Sequence, residues 1–419
     1  MNISLKTSDE VSHKLVLFIC GIGMFVDAYD LFIVSLAEPF VRQAFHVEGI
    51  LLGLMQSAAP LGAAFGALIV GIMADKFGRK KLMYLNMIAF VVVSLLSACS
   101  WSPVSFIFFR FCVGFWVGAD YPICASYLAE IAQKKRGQSV AIIRLINAFG
   151  YPAGAIVAYL VIQFDHGNNS WRWMLLAGCI PAIVGCLLRT KLPESFVWAA
   201  AMRIKTSLSG FKTIFSKKYR KLTFIGSSCY ALKDISEYGI HLFMPTILLA
   251  LGVSKSSDPI QNINNAFILT MFSGFTIVAG AICARLLINR MDRKVFQRTF
   301  FLLAALFLIA LGLGGVFPLL ATPTFIIIAF IAYNFFETIT GTTTYLIPAE
   351  IYETSVRATG HGFVSSMGKV GAFIGVSFLP VLEHFAGIHI TVAIMAIPLI
   401  LGSILSHMYP RGISQMNLS

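Results

Sequence analysis

Twelve apolar runs, each long enough to form a helix across a lipid bilayer, constrain the fold of this chain more than any other feature. A helix needs roughly 20 apolar residues to cross the hydrocarbon core. The predicted spans cover residues 15–37, 50–73, 82–100, 104–128, 137–163, 172–190, 221–251, 263–288, 298–318, 323–348, 359–384 and 386–408. Transmembrane β-strands are shorter and alternate in polarity, so the runs predict an all-α membrane protein.

Charged residues are scarce and unevenly placed. They make up 12 % of the sequence, about half the share in a soluble protein. The net charge is +13, and 24 of the 32 Lys and Arg residues lie on one side of the bilayer if both termini are cytoplasmic. Because basic residues concentrate in cytoplasmic loops, we expect that orientation. A nucleic-acid partner would need a basic soluble face, and we expect none because no soluble domain is predicted.

Two loop motifs occur twice, at nearly the same offset. Residues 71–80 read GIMADKFGRK, and a degraded copy contains Asn289, which follows Asp75 by 214 residues. Glu130 and the basic residues after it recur at Glu350, 220 residues later. The chain is therefore an internal duplication. It divides into a six-helix bundle over 1–190, a basic cytoplasmic linker over 191–220 and a second bundle over 221–419, an organisation typical of transporters.

Functions other than transport have little support in the sequence. There is no nucleophile constellation, metal-ligand spacing or nucleotide-binding loop, so we expect neither an enzyme nor a cofactor or metal. The eight cysteines lie in apolar runs and form no C-x-x-C pair, which is typical of small core residues. The short loops and tails favour a bacterial inner membrane, with a eukaryotic membrane as the alternative, and we expect a monomer.

Ionisable residues inside the spans are the candidate functional residues, because a charge at the bilayer centre costs roughly 2.5–3.5 kcal/mol. At about 1.5 Å per residue, Asp30 of span one and Arg110 of span four fall at the same depth. We predict that they pair, or that Arg110 competes with a proton for this carboxylate. A permanent structural ion pair is the alternative, and Asp27 is then the better proton-carrying carboxylate.

A second set of ionisable residues lies in the other half. It comprises Lys233, Asp234, Glu237 and His241 in span seven, Glu337 in span ten and Lys369 in span eleven. Lys233 and Asp234 project about 100° apart on a helix, so we expect them not to share a partner. Lys233 or Lys369 is a candidate anion contact, and Asp234 or Glu337 a candidate proton site. Charge compensation among the helices is the alternative.

Several motifs resemble those of the major facilitator superfamily over essentially the whole chain. The sequence GIMADKFGRKK at 71–81 is similar to the signature of its second loop, and RFCVGFWVG at 110–118 to the signature of its fourth span. Residues 193–195 (PES), and residues 348–350 (PAE) with Arg357, resemble motifs of its sugar-porter-like branch. The resemblance implies twelve helices in two pseudo-symmetric six-helix bundles, with substrate bound between them.

Within that branch, three segments resemble the phosphate:proton symporters. They are VDAYD at 26–30, GADYP at 118–122, and the residues around His361 and Lys369. The resemblance implies that Asp27 or Asp30, Asp120, Tyr121, Asp234 and Lys369 lie along the path of phosphate and protons. The chain differs from the pattern near the expected substrate site, where it has Tyr230, Lys233 and Gly341.

Arg144 of span five is the strongest substrate-binding candidate. In sugar porters the equivalent position, judged from its distance to Arg136 and Gly150, holds a glutamine that contacts the sugar. An arginine there offers a fixed fork of donors to a carboxylate or phosphate. Asn147, one turn later, could add a neutral hydrogen bond. The alternative is that Arg144 pairs with Asp120.

The repeated loops predict gate contacts that break when one side of the transporter opens. Asp75 is expected to cap a helix or to pair with a basic residue across the gate, and Arg79 to pair with an acid such as Glu130. The equivalent residues Arg136, Glu350 and Arg357 complete the predicted gate. Two glycine pairs, Gly62 with Gly66 and Gly371 with Gly375, predict close helix packing. A further hypothesis is that spans two and eleven move against each other at these pairs.

The function that accounts best for these features is proton-coupled symport of a small anion by alternating access. The substrate could be an organic carboxylate, a sugar acid or phosphate. A sugar uniporter or symporter is the nearest alternative. A drug exporter and a non-transporting receptor on a transporter fold fit less well, because the intramembrane site is charged and carries both carboxylates and gate motifs.

Overall fold

The computed structural model describes residues 13–47, 49–131, 136–164, 167, 169–204, 210–253, 259–410 and 412. This part of the chain is helical and contains no β-strand. Its α-helices are His13–Phe45, Gly49–Phe77, Arg79–Ala98, Pro103–Ile131, Arg136–Ala148, Gly150–Phe164, Ser170–Ala177, Cys179–Arg189, Phe196–Ile204, Gly210–Thr213, Arg220–His241, Met244–Ala250, Pro259–Leu287, Arg293–Leu313, Pro323–Ile351, Arg357–Ile394 and Ala396–Ser406. Two 3-10 helices cover Pro318–Ala321 and Thr354–Val356.

Ten helical stretches of the described residues are long and apolar enough to cross a membrane. The last of them, Thr354–Ser406, is 53 residues long and provides spans eleven and twelve, because the helix breaks at Gly387. Gly387 has a φ of 76°, a left-handed conformation that glycine adopts without steric cost. Span seven consists of Arg220–His241 and Met244–Ala250. It is not among the ten apolar stretches because its first helix carries several charged residues. These stretches give the predicted all-α architecture of twelve spans.

The two halves use equivalent pairs of small residues for internal packing. In span two, Gly62 lies against the backbone of Phe111 in span four, and Gly66 packs in the same way one turn later. In span eleven, Gly371 lies against the backbone of Ala231 in span seven. The hypothesis that spans two and eleven meet at these glycine pairs is therefore wrong. Each pair faces a neighbour in its own half, because a glycine allows two backbones to approach closely wherever helices cross.

Spans two and eleven do pack against each other, at a different set of small residues. Gly71 of span two lies against the backbone of Ala358 and Gly362, and Gly362 lies against the carbonyl of Ala67. This contact joins the two halves at the side of the molecule that carries the repeated loops, called the gate side below.

The segment between the halves contributes to the gate side. It includes the helices Phe196–Ile204 and Gly210–Thr213, which the sequence analysis did not predict. Glu194 accepts hydrogen bonds from the backbone amides of Arg79 (3.0 Å) and Lys80, and the Trp198 indole donates to the carbonyl of Asp75 at 3.1 Å. The linker is thereby fixed to the loop between spans two and three.

Candidate functional site

A narrow cavity of about 10 Å³, room for roughly one water molecule, lies between the two halves. It is lined by Ala28, Leu31, Tyr121, Arg144, Asn147, Tyr151, Tyr230, Lys233, Glu237, Tyr238 and Lys369. The six residues predicted to bind substrate are all among them: Tyr121, Arg144, Asn147, Tyr230, Lys233 and Lys369. The first half supplies spans one, four and five, and the second half supplies spans seven and eleven.

Aromatic contacts between the halves close this cavity at both ends. Towards the gate side, the Tyr345 hydroxyl donates to the carbonyl of Tyr121 at 3.1 Å, and the two rings pack edge to face. At the other end, the Tyr151 ring packs edge-on against His241, with ring centroids 5.7 Å apart. The cavity is therefore occluded in this conformation.

Arg144 borders the cavity without a carboxylate partner. No Asp or Glu oxygen of the described residues lies within 4.0 Å of its guanidinium, so the alternative pairing with Asp120 is wrong. Its Nη1 donates to Asn147 Oδ1 at 2.9 Å, and Asn147 Nδ2 donates to the carbonyl of Met24 at 2.6 Å. Asn147 thus positions Arg144, while Arg144 Nε has no hydrogen-bond partner.

Lys233 is surrounded by carboxylates. Its ammonium pairs with Glu237, one turn later in span seven, and lies 3.3 Å from Glu337 and 3.3 Å from Asp234. The expectation that Lys233 and Asp234 have separate partners is correct for their shortest contacts. The long lysine side chain nevertheless bends far enough to reach its neighbour.

The same cluster contains a group of possible metal ligands, Glu237, His241 and Glu337, whose ligand atoms lie within 4.8 Å of one another. The Lys233 ammonium contacts the two carboxylates of this group, Glu237 and Glu337, and supplies positive charge beside them. His241 is held by Asn334 at 2.7 Å. The arrangement is that of a charge-compensated network rather than a metal centre.

Lys369 lies in a cage of tyrosines. Its ammonium donates to Asp234 at 2.9 Å and to the Tyr238 hydroxyl at 2.7 Å. It also lies 4.7 Å from the ring centroid of Tyr121 and 4.2 Å from that of Tyr238, within the range of cation–π attraction. Lys369 and Asp234 therefore satisfy each other.

Asp30 and Arg110 form the predicted ion pair. Two parallel hydrogen bonds of 3.0 and 2.8 Å join the guanidinium to the two carboxylate oxygens. Both side chains are buried. Such a bidentate pair is the strongest geometry available to these groups, which favours the structural alternative for Asp30.

Asp120 pairs with Arg189 of span six, a residue that the sequence analysis did not single out. The distance is 2.6 Å, and neither side chain is exposed. Asn86 donates to the other carboxylate oxygen at 3.0 Å, and Arg189 also donates to the carbonyl of Met83. The presence of an arginine within an apolar run was the signal that could have identified it.

Asp27 is a deeply buried carboxylate of the first half, 1 % exposed, that lacks an ion pair. No Lys or Arg nitrogen of the described residues lies within 4.0 Å of it, and its Oδ2 has no hydrogen-bond partner. One turn earlier, a side chain at Gly23 would collide with Arg189 and Asp120. The Asp120–Arg189 pair therefore lies against the backbone of span one, next to Asp27.

The gate residues of the first half cross to the second half. Asp75 accepts hydrogen bonds from the backbone amide and hydroxyl of Thr359, both at 2.7 Å, at the start of span eleven. Arg79 pairs with Asp75 at 2.9 Å and with Glu130 at 2.8 Å. Asp75 thus caps a helix of the opposite half, which is one of the two predicted roles, and the basic residue that it pairs with, Arg79, lies in its own half.

The second copy of the gate is partly preserved. Arg293 pairs with Glu350 at 3.2 Å, although the sequence analysis had not named Arg293. Arg357 lies 3.9 Å from Glu130 of the first half. Arg136 begins a helix, but its side chain lies outside the described residues. Contacts between the two halves therefore close this side of the molecule.

Comparisons with known proteins agree with this architecture. The chain is 27 % identical over 371 residues to a candidate niacin/nicotinamide transporter, NiaP, of Bacillus subtilis, covering 87 % of each protein. It is 28 % identical over 436 residues to inorganic phosphate transporter 1-4 of Arabidopsis thaliana, covering 87 % of this chain and 82 % of the relative.

Solved structures show the same fold. The proton:xylose symporter XylE bound to 6-bromo-6-deoxy-D-glucose matches with a TM-score of 0.80 and 17 % identity, covering 95 % of this chain and 96 % of that one. XylE from E. coli in a partially occluded inward-open conformation matches with a TM-score of 0.77 and 16 % identity, covering 95 % and 98 %. The sequence model of the Major Facilitator Superfamily matches residues 20–376. The chain therefore belongs to the Major Facilitator Superfamily and is a multi-pass membrane transporter.

Proposed function

We propose that this transporter is a symporter of protons and a small anion, and that the anion binds in the occluded cavity. The observation that carries the proposal is the uncompensated charge of Arg144. Seven other cations inside the described bundles each have a carboxylate oxygen within 4.0 Å: Arg79, Arg110, Arg189, Lys233, Arg293, Arg357 and Lys369. A guanidinium that borders a closed cavity without such a partner favours a bound anion.

Proton coupling is assigned chiefly to Asp27. The carboxylates Asp30, Asp120 and Asp234 each have a cation within hydrogen-bond distance that compensates their charge. Asp27 has none, so burial opposes its charge unless a proton is bound. Glu337 shares Lys233 with Glu237 and Asp234, and we propose it as a second proton site.

The gate contacts would allow the transporter to alternate between a state closed on the gate side and a state open there. Asp75, Arg79, Glu130, Arg136, Glu350 and Arg357 would hold the gate side closed while substrate and proton exchange on the other side. Breaking these contacts would open the gate side, so their strength sets the balance between the two states.

The orientation in the membrane and the bounds of the two bundles are also part of the proposal. We propose that both termini and the gate side are cytoplasmic, that the bundles cover 1–190 and 221–419 with the linker 191–220 between them, and that the protein works as a monomer in a bacterial inner membrane. The basic residues of the linker and gate loops support this orientation.

The names of the relatives suggest which anions to test. They include inorganic phosphate transporters and a niacin/nicotinamide transporter, and organic carboxylates and sugar acids share the same charge. All of them can accept hydrogen bonds from Arg144. A neutral sugar would leave this guanidinium without a counter-ion.

Uptake into proteoliposomes tests the proposal. An inward acid gradient should drive accumulation of at least one labelled anion by the wild type, and Arg144→Gln should abolish it. Asp27→Asn should abolish gradient-driven accumulation but retain exchange of internal for external anion, because a permanently neutral residue mimics the protonated state. Accumulation that is unchanged in Asp27→Asn would remove Asp27 from the proton path.

A further inference from the structure

We propose that the protein binds one anionic phospholipid in an apolar groove between spans seven and eleven, with the phosphate at Arg220 and an acyl chain between the two helices. The groove shares no residue with the cavity between the halves. Its shape, the charge at its end and an unsatisfied hydroxyl in its wall carry the proposal.

The groove follows one face of each helix. Its volume is about 460 Å³, within the range of small-molecule sites, roughly 300–1,000 Å³. On span seven its residues recur at the spacing of one helix face: Phe224, Ser227, Ser228, Ala231 and Ile235. On span eleven the same spacing gives Phe363, Met367, Val370 and Ile374. The serines and the alanine are small, which leaves a channel between the larger side chains.

The groove opens towards the lipid. Phe224 and Ile374, which border it, are 65 % and 40 % exposed and lie at the depth of the spans. From Arg220 to Ile235 the groove is about 22 Å long at about 1.5 Å per residue, whereas half of a hydrocarbon core of about 30 Å is about 15 Å. An acyl chain that enters at the gate side therefore fits along the groove as far as the bilayer midplane.

An aromatic contact and a basic residue form the gate-side end of the groove. The Phe215 ring of the linker packs edge-on against Phe363, with centroids 5.0 Å apart. Arg220 lines the groove, and no Asp or Glu oxygen of the described residues lies within 4.0 Å of its guanidinium. The nearby Lys218 is paired with Glu353. Arg220, unlike Lys218, is therefore available to an anionic headgroup.

The orientation of the protein by itself accounts for basic residues in this loop, because cytoplasmic loops are rich in Lys and Arg. That preference concerns the loop as a whole and not the direction of a side chain. Arg220 lines the groove and the adjacent Lys221 does not, although both are exposed. A bound phospholipid therefore depends on Arg220 more than on Lys221.

An unsatisfied hydroxyl lies further along the groove. Ser227 is 8 % exposed and lines the groove, and its Oγ has no hydrogen-bond partner among the described residues. A buried hydroxyl without a partner is unfavourable in an apolar environment. Ser227 lies about 10 Å beyond Arg220 along the helix, where an ester carbonyl of a lipid with its phosphate at Arg220 can accept this hydrogen bond. A phospholipid thus satisfies both ends of the groove, which a plain hydrocarbon would not.

Native mass spectrometry of the purified, delipidated protein measures the binding of single lipid molecules. Phosphatidylglycerol and phosphatidylcholine with the same two oleoyl chains differ in headgroup charge, and glycerol 3-phosphate carries the charge without the chains. We expect the first phosphatidylglycerol to bind at least about fivefold more tightly than phosphatidylcholine, since a basic residue near an anionic lipid contributes about 1 kcal/mol. Glycerol 3-phosphate should not displace it.

Variants locate the site. Arg220→Gln should reduce the affinity for phosphatidylglycerol to that for phosphatidylcholine, whereas Lys221→Gln, one residue along, should keep the preference. Ser228→Leu fills the groove and should weaken the binding of both lipids, whereas Ser228→Ala keeps the groove open and should bind both as the wild type does. Arg220→Gln changes an exposed residue and tests the site even if Ser228→Leu disturbs the packing of the helices.

Three results would overturn the proposal. Equal affinity for the two lipids, or a preference that Lys221→Gln removes as fully as Arg220→Gln, would mean general attraction to a basic surface. First-lipid binding that is unchanged in Ser228→Leu would exclude the groove. Displacement of phosphatidylglycerol by glycerol 3-phosphate would mean a phosphate site without an acyl chain. None of these results depends on Arg144 or on transport.

Discussion

Replacing Asp75 by Asn is the substitution that should change the balance between the closed and the open gate side most clearly. Asp75 Oδ2 accepts two hydrogen bonds of 2.7 Å from Thr359, in the opposite half, and its side chain is buried. These bonds join the two halves while the gate side is closed, and we propose that they break when it opens. Asp75→Asn removes the negative charge and keeps the size, so it should favour the open gate.

The magnitude follows from these contacts. A hydrogen bond to a charged group contributes about 1.5–3 kcal/mol and a neutral one about 0.5–1.5 kcal/mol, so neutralising the acceptor of two bonds costs about 2–3 kcal/mol. Loss of a negative charge at the amino terminus of span eleven adds about 0.3–1 kcal/mol. The contact with Arg79 lies within one half, so we expect it to persist in both states. The total of about 2–4 kcal/mol corresponds to a shift of about 30- to 700-fold towards the open gate.

Double electron–electron resonance measures this shift. Spin labels at Lys80→Cys and Arg290→Cys, both exposed on the gate side, report the distance between the halves in a background without the native cysteines. The measurement uses a pH at which the wild type shows both a short and a long distance. Asp75→Asn should move the population to the long distance, and Thr359→Ala, which removes only the hydroxyl contact, should move it less. An unchanged distribution in Asp75→Asn would refute the assignment of Asp75 to the gate.

Three further predictions concern the scaffold. Arg189→Met leaves Asp120 as a buried unpaired charge and should destabilise the folded protein by about 3–5 kcal/mol. The loss should appear as a lower midpoint of thermal unfolding in detergent. Replacing Asp120 by Asn in the same protein should recover part of this stability. Gly62→Val forces a side chain onto the backbone of Phe111 and should cost about 1–3 kcal/mol by the same measurement, whereas Gly53→Ala, where the β-carbon would make an ordinary 3.7 Å contact, should be neutral. Lys218 pairs with Glu353 outside the spans, and this pairing raises the pKa of Lys218 and lowers the pKa of Glu353. The pair is therefore lost only when the pH falls through the lowered pKa of Glu353 or rises through the raised pKa of Lys218. We expect Glu353→Gln to leave the pH profile of transport between pH 5 and 8 unchanged.

The sequence was sufficient to predict features that follow from the length of the apolar runs, the spacing of the repeated loops and the depth of charged residues in the bilayer. Twelve apolar runs determine the number of crossings, since the hydrocarbon thickness sets the length of a helix. The Asp30–Arg110 pair could be predicted because two buried charges of opposite sign at one depth have few other partners. The contact between Arg79 and Glu130 followed in the same way from two repeated loops on one side of the bilayer.

Features that depend on how helices rotate and cross could not be predicted in this way. Asp120 and Arg144 have similar depths, yet Arg189 takes the place beside Asp120 because span six packs against span three, where Arg189 reaches the carbonyl of Met83. The two glycine pairs were recognisable, but their partners depend on which helices cross there. The role of Asn147 was also open, because its hydrogen bond to Met24 joins spans that are distant in the sequence.

The position of Asn147 provides a physical link between the two ligands of the proposed cycle. The same side chain accepts from Arg144, at the anion site, and donates to the carbonyl of Met24, which lies one turn before Asp27 in span one. Within the described contacts, Arg144 and Asp27 do not touch each other. The anion and the proton therefore need not interact directly, and each can act on the other by shifting span one relative to span five. Coupling of this kind is reciprocal, because the factor by which a proton on Asp27 changes the affinity for the anion equals the factor by which the bound anion changes the affinity for the proton.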